Sequence, residues 1–201
     1  MAIFEYGEQE LDYLRHRDQA LGDAMDRIGM IRREVTPDLF TALTHSVVSQ
    51  QISSKAAQTV WQRFRERFPA LTPGAVAASD PVALKSCGMS ARKAGYIIGI
   101  SEAIVGRRLD MAALPSLSDS DIIKELSALP GIGVWTAEMV LIFSLQRRDV
   151  VSWGDLAIRR GMMNLYGLQT LGKTEFESYR QRYSPYGSVA SLYLWALAAE
   201  G

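Results

Sequence analysis

The chain has 201 residues, of which 48% are hydrophobic and 22% are charged, and its 22 basic and 22 acidic side chains cancel to a net charge of zero. This balance is typical of a globular protein with a buried core, and the length suffices for one large domain or two small lobes. The overall excess of basic residues that is common in nucleic-acid-binding proteins is absent, so any such affinity has to come from a local patch or from main-chain amides.

The residue types present exclude several kinds of metal site and disulfide, and no segment is typical of a membrane span. Cys87 is the one cysteine and His16 and His45 are the two histidines. Side chains of these types therefore cannot build a disulfide framework, a zinc site or a cysteine-ligated iron–sulfur cluster. The N-terminus lacks a charged region followed by an apolar run, and no stretch of about 18 apolar residues occurs. We expect a reduced, cytoplasmic protein without a membrane partner, with His45 in a structural role.

The spacing of apolar residues is helical along the chain and alternating β-branched runs are missing, which predicts an all-α protein of about ten helices. Residues 5–33 are predicted as one or two helices with a break near Gly22 or Gly29. The further helices are predicted at 38–50, 53–68, 90–107, 118–128, 134–145, 155–166, 173–183 and 186–199, with short helices and turns at 69–81.

Capping signals support several of these helix starts. Thr36 followed by Pro37 is the predicted N-cap and first position of the helix at 38–50. Ser118 with Asp121 resembles a capping box at the start of the helix at 118–128.

The most informative stretch is Leu129-Pro130-Gly131-Ile132-Gly133, which lies between two predicted helices. Its two glycines permit main-chain conformations that a Cβ would forbid, and they allow another backbone to approach closely. The next helix begins just after the turn, so its free N–H groups offer an anion site that needs no net positive charge. The turn predicts phosphate binding, with an ordinary tight turn between helices as the alternative.

The residues after this turn carry a family resemblance. Val134–Met139 follow the turn, and Asp155 lies in the segment 149–161. Together they resemble the helix-hairpin-helix DNA glycosylase superfamily, in which a Gly/Pro-rich hairpin precedes an aspartate. Similar family segments are found at 48–53, 84–94 and 184–195, so that the resemblance covers about residues 36–198. Within the superfamily the chain is most similar to the 3-methyladenine DNA glycosylase II group, in a short form without the N-terminal β domain.

The resemblance implies a particular organisation of the chain. It implies an all-α, two-lobed fold with the active site in the cleft between the lobes. Residues 1–35 would form a helical leader that packs on the second lobe. Residues 36–201 would form the glycosylase core, with the hairpin at 118–145 and the catalytic segment at 149–161. We expect a monomer that acts on double-stranded DNA containing alkylated bases, associated with the nucleoid when it does so.

Asp155 follows Gly154 and opens a predicted helix, where it can act as an N-cap, as a catalytic carboxylate, or as both. Breaking the N-glycosidic bond of a purine develops positive charge on the sugar. A fixed carboxylate sheltered from water stabilises that charge and can orient or deprotonate the attacking water. The resemblance therefore implies that Asp155 is catalytic in the hydrolysis of alkylated purines such as 3-methyladenine and 7-methylguanine, which leaves an abasic site.

Trp135 stands two residues after Gly133, where strand-cutting members of the superfamily carry a lysine nucleophile. The resemblance thus implies a monofunctional enzyme in which water attacks. The target base has to be flipped out of the duplex, and a cationic alkylated base suits an aromatic pocket. Trp135 is assigned to this pocket, with Trp153 and Trp61 as weaker candidates. Core packing is the alternative for Trp61.

The position from which family members insert a side chain into the space left by the flipped base matches Gln51, with Gln50 beside it. Two solvent-facing glutamines at a helix end are the alternative. The pair Arg92-Lys93 is one of several basic pairs that either contact phosphates or form solvated helix faces.

The resemblance also implies how the hairpin holds DNA. Phosphate would be bound by Thr136 together with residues 129–133. A monovalent cation, Na⁺ or K⁺, would be held by the main-chain carbonyls of Ser127, Leu129 and Ile132, and no other cofactor is expected.

Three other interpretations compete with this one. A non-enzymatic helix-hairpin-helix DNA-binding module would not carry the combination of Asp155 and Trp135. A glycosylase branch acting on oxidised or mismatched bases commonly has the lysine or the cluster cysteines that this chain lacks. A helical interaction protein would leave the order of the motifs unexplained. The preferred lesion stays open at this point, because pocket shape decides it.

Overall fold

A computed structural model describes residues 2–200, whose regular structure consists of twelve α-helices and one short 3₁₀ helix. An isolated antiparallel bridge between Ile3 and Glu34 also occurs. The all-α prediction is therefore confirmed. No helix in this described range combines the length and the apolar character needed to cross a bilayer.

The helices follow one another along the chain with short connections. They are α1 (Glu8–Arg17), α2 (Gln19–Ile28), α3 (Leu39–Ser49), α4 (Ser54–Arg67), α5 (Pro73–Ala77), α6 (Pro81–Ser86), α7 (Ala91–Val105), α8 (Asp119–Ser127), α9 (Val134–Phe143), α10 (Leu156–Tyr166), α11 (Lys173–Tyr183) and α12 (Gly187–Ala199), with the 3₁₀ helix at Leu114–Ser116.

The chain forms two compact units. The central unit is Thr36–Val140, and the terminal unit combines the residues up to Val35 with those from Leu141 onward. The leader of the sequence analysis thus shares a unit with the C-terminal helices, and the predicted core at 36–201 is divided between the two units.

Residues 5–33 contain two helices, as one predicted alternative had it, and α2 ends at Gly29. The break between the two helices lies at Asp18, however, and not at Gly22, which is inside α2. Asp18 has an extended backbone, and its carboxylate accepts a hydrogen bond from the Leu21 amide at 3.0 Å, so that it begins a new helix as an N-cap.

The cap of α3 also differs from the prediction. Asp38, rather than Thr36, is the N-cap, and its carboxylate accepts from the Thr41 amide at 2.8 Å. Local capping predicted the other starts correctly. The hydroxyls of Ser53, Ser90 and Ser118 each accept from the amide three residues on, and they begin α4, α7 and α8.

Helix α10 is fixed against α12 in the terminal unit. A Cβ at Gly161 of α10 would lie 1.9 Å from the carbonyl oxygen of Leu194 on α12, so only glycine lets the two helices approach this closely. Ile158 and Met162 on α10 are completely buried, as is Ala190 on α12. The N-terminus of α10 is therefore held by a rigid contact rather than by a mobile loop.

Candidate active site

The turn between α8 and α9 presents its main chain at the surface of the central unit. The amide of Ile132 donates to the carbonyl of Leu129 at 3.2 Å, and the side chains of both residues are buried. Pro130 and Gly133 are exposed. The buried side chains of Leu129 and Ile132 thus anchor the turn, while the backbone at Pro130 and Gly133 stays accessible to solvent. Thr136 is buried, so its hydroxyl does not extend this exposed face.

The two glycines of the turn have different reasons to be glycine. Gly131 has a φ of 81°, and a Cβ there would lie 2.3 Å from the ring of Tyr96, so internal packing already requires glycine. A Cβ at Gly133 would meet nothing within 4 Å. Internal packing therefore gives no reason for glycine at 133, and the open space above it is available to an external backbone.

A cavity of about 460 Å³ opens beside the turn in the central unit. One wall is formed by Trp135 and Met139, which lie one turn apart on α9, and the rest by His45, Ser46, Ser49, Gln50 and Gln51 from α3 and its C-terminal end. This volume is within the range of small-molecule sites. Trp135 is 46% exposed and borders this cavity, so its ring is accessible to a ligand that enters it.

His45 is a pocket residue that the sequence analysis treated as structural. Its ring meets Trp61 edge-on, with 4.8 Å between the ring centroids. Partial desolvation at the cavity wall lowers the pKa of His45 from its usual 6.5, because it disfavours the charged imidazolium. The spacing of four residues between His45 and Ser49 predicts that they share one face of the helix. The sequence does not say whether that face borders a cavity.

The two weaker tryptophan candidates have packing partners in their own units. Trp61 is not part of the cavity wall, and it contacts His45 and also Phe64 at 5.7 Å between ring centroids. This supports the packing alternative for Trp61. Trp153 meets Phe176 edge-on at 5.2 Å, and the Arg159 guanidinium lies 4.7 Å from the centre of its ring. A pocket role for Trp153 stays a prediction.

The two glutamines predicted to enter DNA differ in the structure. The side-chain amide of Gln50 donates to the carbonyl of Gly131 at 2.8 Å, which ties the end of α3 to the turn. Gln51 is exposed and has a φ of 56°, a left-handed conformation that is uncommon outside glycine. Gln51 is thus the accessible member of the pair, and Gln50 is committed to the turn.

Asp155 begins α10 and is 7% exposed. Its Oδ1 atom accepts hydrogen bonds from the amides of Ala157 at 2.8 Å and Ile158 at 2.9 Å, so the N-cap alternative is confirmed. Acidic side chains are rarely this buried unless they are paired or functional. Both cap bonds use the same oxygen, so capping does not require the other one.

The segment that leads to Asp155 is held by α12. The Ser188 hydroxyl donates to the Arg147 carbonyl at 2.6 Å and accepts from the Val150 amide at 3.0 Å. The Ser191 hydroxyl donates to the Val150 carbonyl at 2.9 Å. These buried side chains take the place of the strand partners that an extended segment otherwise needs. The path of the chain towards Asp155 is therefore fixed by side-chain hydrogen bonds.

Basic side chains line a second cavity, of about 320 Å³, on the terminal unit. Its lining residues are Leu156, Arg159, Arg160, Met163 and Leu171. Leu156 is 69% exposed and directly follows Asp155. Two arginines on α10 near the exposed Leu156 suit contacts to phosphate.

The main-chain oxygens assigned to a cation lie around the end of α8. Carbonyl oxygens are the ligands that Na⁺ and K⁺ prefer. The Leu129 carbonyl already accepts from Ile132, but a carbonyl oxygen has a second lone pair. The carbonyls of Ser127, Leu129 and Ile132 are thus ligands of the right chemical type, and a cation there stays a prediction. Residues 2–200 contain no group of three or more His, Cys, Asp or Glu side chains suited to a metal.

Comparison with known proteins identifies the family. Residues 44–185 match the sequence model of the HhH-GPD superfamily of base excision DNA repair proteins. The chain is 35% identical over 163 residues to DNA-3-methyladenine glycosylase 1 of Schizosaccharomyces pombe, which covers 78% of this chain and 71% of that protein. The chain therefore belongs to the HhH-GPD superfamily, as the resemblance implied.

Two solved structures extend the match to nearly the whole chain. A DNA-3-methyladenine glycosidase from Bacillus halodurans aligns with a TM-score of 0.88 at 34% identity, covering 98% of this chain and 93% of that one. A 3-methyladenine DNA glycosylase of Schizosaccharomyces pombe in complex with abasic DNA aligns with a TM-score of 0.80 at 30% identity, covering 93% and 95%. The predicted superfamily fold is thus confirmed.

Proposed function

We infer that this protein is a monofunctional DNA glycosylase of base excision repair, which hydrolyses the N-glycosidic bond of alkylated purines in double-stranded DNA and leaves an abasic site. The observation that carries this function is the buried carboxylate of Asp155 at the start of α10. Several relatives of the chain are named DNA-3-methyladenine glycosylases, which supports 3-methyladenine as a substrate. We propose 7-methylguanine as a second substrate, because alkylation at N7 also makes the purine cationic.

The proposed reaction uses the charge of Asp155. As the bond between deoxyribose and base lengthens, positive charge develops on the sugar, and a preorganised carboxylate lowers the energy of that state. The base leaves with the bonding electron pair, and a water molecule adds to the sugar after Asp155 orients it or removes its proton. Because α10 is fixed by its contact with α12, the carboxylate needs little reorganisation during the reaction.

We assign the cavity beside α9 to the flipped base. The face of Trp135 attracts the delocalised positive charge of a base alkylated at N3 or N7, and the polarizable thioether of Met139 lies in the same wall. The lowered pKa of His45 keeps its ring neutral at pH 7, so it does not repel a cationic base. The cavity therefore favours electron-poor alkylated purines over normal ones.

We propose that the exposed turn at 129–133 grips a phosphate and that Gln51 fills the space left by the base. The accessible backbone at Gly133 and the exposed, left-handed Gln51 support these roles. A monovalent cation at the carbonyls of Ser127, Leu129 and Ile132 would add positive charge beside the phosphate. The protein would act as a monomer in the cytoplasm, on DNA of the nucleoid.

Replacement of Asp155 by Asn tests the catalytic role. Asn is as good an N-cap as Asp, so Asp155→Asn should fold and bind methylated duplex DNA normally. Release of free 3-methyladenine in single-turnover assays should fall by about 10²–10³-fold, which is typical of losing one electrostatic group.

The matched control is Asp38→Asn, which changes the N-cap of α3 in the same way and should leave base release unchanged. Near wild-type release by Asp155→Asn would contradict the assignment. Binding of methylated DNA by the wild-type protein without release of any base would instead favour a non-enzymatic DNA-binding protein.

The monofunctional mechanism, in which water rather than a lysine attacks the sugar, can be tested separately. Trp135 occupies the position of the lysine that forms a covalent imine with the sugar in strand-cutting members. We expect no protein–DNA adduct after borohydride treatment, and strand breaks only after the abasic product is treated with alkali. A trapped adduct would exclude the monofunctional mechanism.

A further inference from the structure

The C-terminal end of α3 is held by side chains from a neighbouring helix and from its own cap residue. The Nζ atom of Lys93 on α7 donates to the carbonyls of Val48 at 2.7 Å and Gln50 at 2.6 Å. The side-chain amide of Gln50 in turn donates to the carbonyl of Gly131 at 2.8 Å. We call Lys93 and Gln50 the α3 clamp.

The clamp solves a local problem at this helix end. The last carbonyls of an α-helix have no partner inside the helix and are often satisfied through a glycine in the left-handed conformation. Here Gln51 occupies that conformation, with a φ of 56°. The ammonium of Lys93 supplies the missing donors, and its charge suits the negative end of the helix dipole.

Lys93 is also partly desolvated at this place. Its side chain borders a cavity of about 350 Å³ together with Gln51, Ile52 and Met89, and burial lowers its pKa. Its neighbour Arg92 is exposed and lies over the ring of Tyr96 instead. From the sequence, Lys93 is either a phosphate contact or part of a solvated helix face. The structure shows it bonded to main chain.

The side chain of Gln51 is weakly constrained by its own contacts. It is exposed, follows the last turn of α3, and adopts a conformation that costs free energy for a residue with a Cβ. A side chain that separates stacked bases has to withstand the free energy of restacking. The rigidity needed for insertion therefore has to come from the residues that fix the main chain next to Gln51.

We propose that Lys93 is a positioning residue for base flipping, which holds Gln51 in its inserting conformation through the main chain of Gln50, while the side chain of Gln50 couples that segment to the phosphate-binding turn. This inference rests on the proposed function, and in particular on the insertion of Gln51. Lys93 acts on neither the base nor the sugar. Its effect should therefore depend entirely on the presence of the Gln51 side chain.

A double-mutant cycle tests the proposal. Lys93→Met keeps the aliphatic stem and removes the donors, and Gln51→Ala removes the inserted side chain. Each single change should slow single-turnover base release from methylated duplex by about tenfold, and the double variant should be within about twofold of Gln51→Ala alone, because the two changes remove one interaction. Lys85→Met, which removes an exposed lysine of the central unit, is the matched charge control and should have no effect.

Additive losses in the cycle, or wild-type release by Lys93→Met, would overturn the proposal. Gln50→Met provides a second route if Lys93→Met does not fold. It removes the bond to Gly131 and leaves the main-chain carbonyl for Lys93, and its loss should likewise be non-additive with Gln51→Ala.

Hydrogen exchange separates this proposal from the proposed function. Exchange of the amides at 50–53 should be faster in Lys93→Met than in wild type or Lys85→Met, whether or not the protein releases bases. Unchanged exchange there would overturn the clamp, whereas absence of base release by the wild-type protein would overturn the glycosylase activity alone.

Discussion

A single carboxylate at Asp155 combines a folding role with the proposed chemical one. Oδ1 satisfies two amides of the first turn of α10, and burial keeps the group away from bulk water. The N-terminus of a helix favours an anionic group, so the position that makes Asp155 an N-cap also suits the proposed electrostatic role. The two roles are therefore compatible.

The two glycines of the turn should respond differently to alanine. Gly133→Ala should leave the free energy of unfolding within about 0.5 kcal/mol of wild type, because its Cβ would meet nothing. It should weaken binding to abasic duplex DNA by about tenfold or more, about 1.4 kcal/mol, if a phosphate approaches that position. Fluorescence anisotropy and urea denaturation measure the two quantities.

Gly131→Ala is the matched comparison within the same turn. Its positive φ and the ring of Tyr96 should make it destabilising by at least about 1–3 kcal/mol. A Gly133→Ala variant that binds DNA as tightly as wild type would contradict phosphate binding at this turn.

If the cavity holds the flipped base as proposed, we expect His45 to make base release depend on pH on the acidic side. Because its pKa is lowered from 6.5, the ring is neutral at pH 7 and gains a proton only as the pH falls below 6.5. A charged imidazolium in the cavity would repel a cationic base. Release of 7-methylguanine should therefore decline as the pH is lowered below 6.5, and His45→Gln should lose this part of the decline.

His16→Gln is the control, since His16 is exposed on α1. It should keep the wild-type acid profile. The same profile in His45→Gln would show that His45 does not border the bound base.

At the scale of secondary-structure elements, the extended segment before Asp155 depends on α12. Ser191 is completely buried, and its hydroxyl donates to the Val150 carbonyl at 2.9 Å. Ser191→Ala would leave that buried carbonyl without this donor and should lower the free energy of unfolding by about 1–3 kcal/mol in urea denaturation.

Ser178→Ala on α11 is the matched change in an exposed place. The Ser178 hydroxyl donates to the Glu175 carbonyl at 2.7 Å, but water can replace it there. We expect a change below about 0.5 kcal/mol for this variant. Equal effects of the two substitutions would show that α12 does not hold the segment.

At the scale of the whole molecule, zero net charge limits how DNA is bound. The 22 basic side chains are offset by 22 acidic ones, so long-range attraction to a polyanion is weak. On the proposed function, affinity would depend on a few local contacts, at the exposed turn and at Arg159 and Arg160. Base flipping has to be driven by these local contacts and by insertion.

The dependence of DNA binding on salt measures the number of those contacts. A slope of log K against log salt between about −2 and −4 is expected, since each neutralised phosphate contributes about −0.9. Titration of an abasic duplex over a range of salt concentrations gives this slope. A value near about −10 would reveal an extensive basic interface.

The helix starts that could be predicted correctly are those marked by a capping residue close to them in sequence. Serine caps act over three residues, so Ser53, Ser90 and Ser118 marked true helix starts. The same logic failed where two candidates compete: Thr36 and Asp38 both suit a cap, and Asp38 is the one that begins α3. The break predicted near Gly22 is wrong because the sequence does not distinguish a glycine inside a helix from a glycine that ends one.

The sequence alone determined the all-α class, the superfamily and the position of Asp155 at a helix start, because these depend on the order and local spacing of residues. Only the tertiary structure decided that His45 borders the cavity, that Trp61 packs beside it, and that Lys93 and Gln50 hold α3. These roles depend on which helix faces meet across residues distant in the chain. Local periodicity fixes a face of each helix but does not say what packs against it.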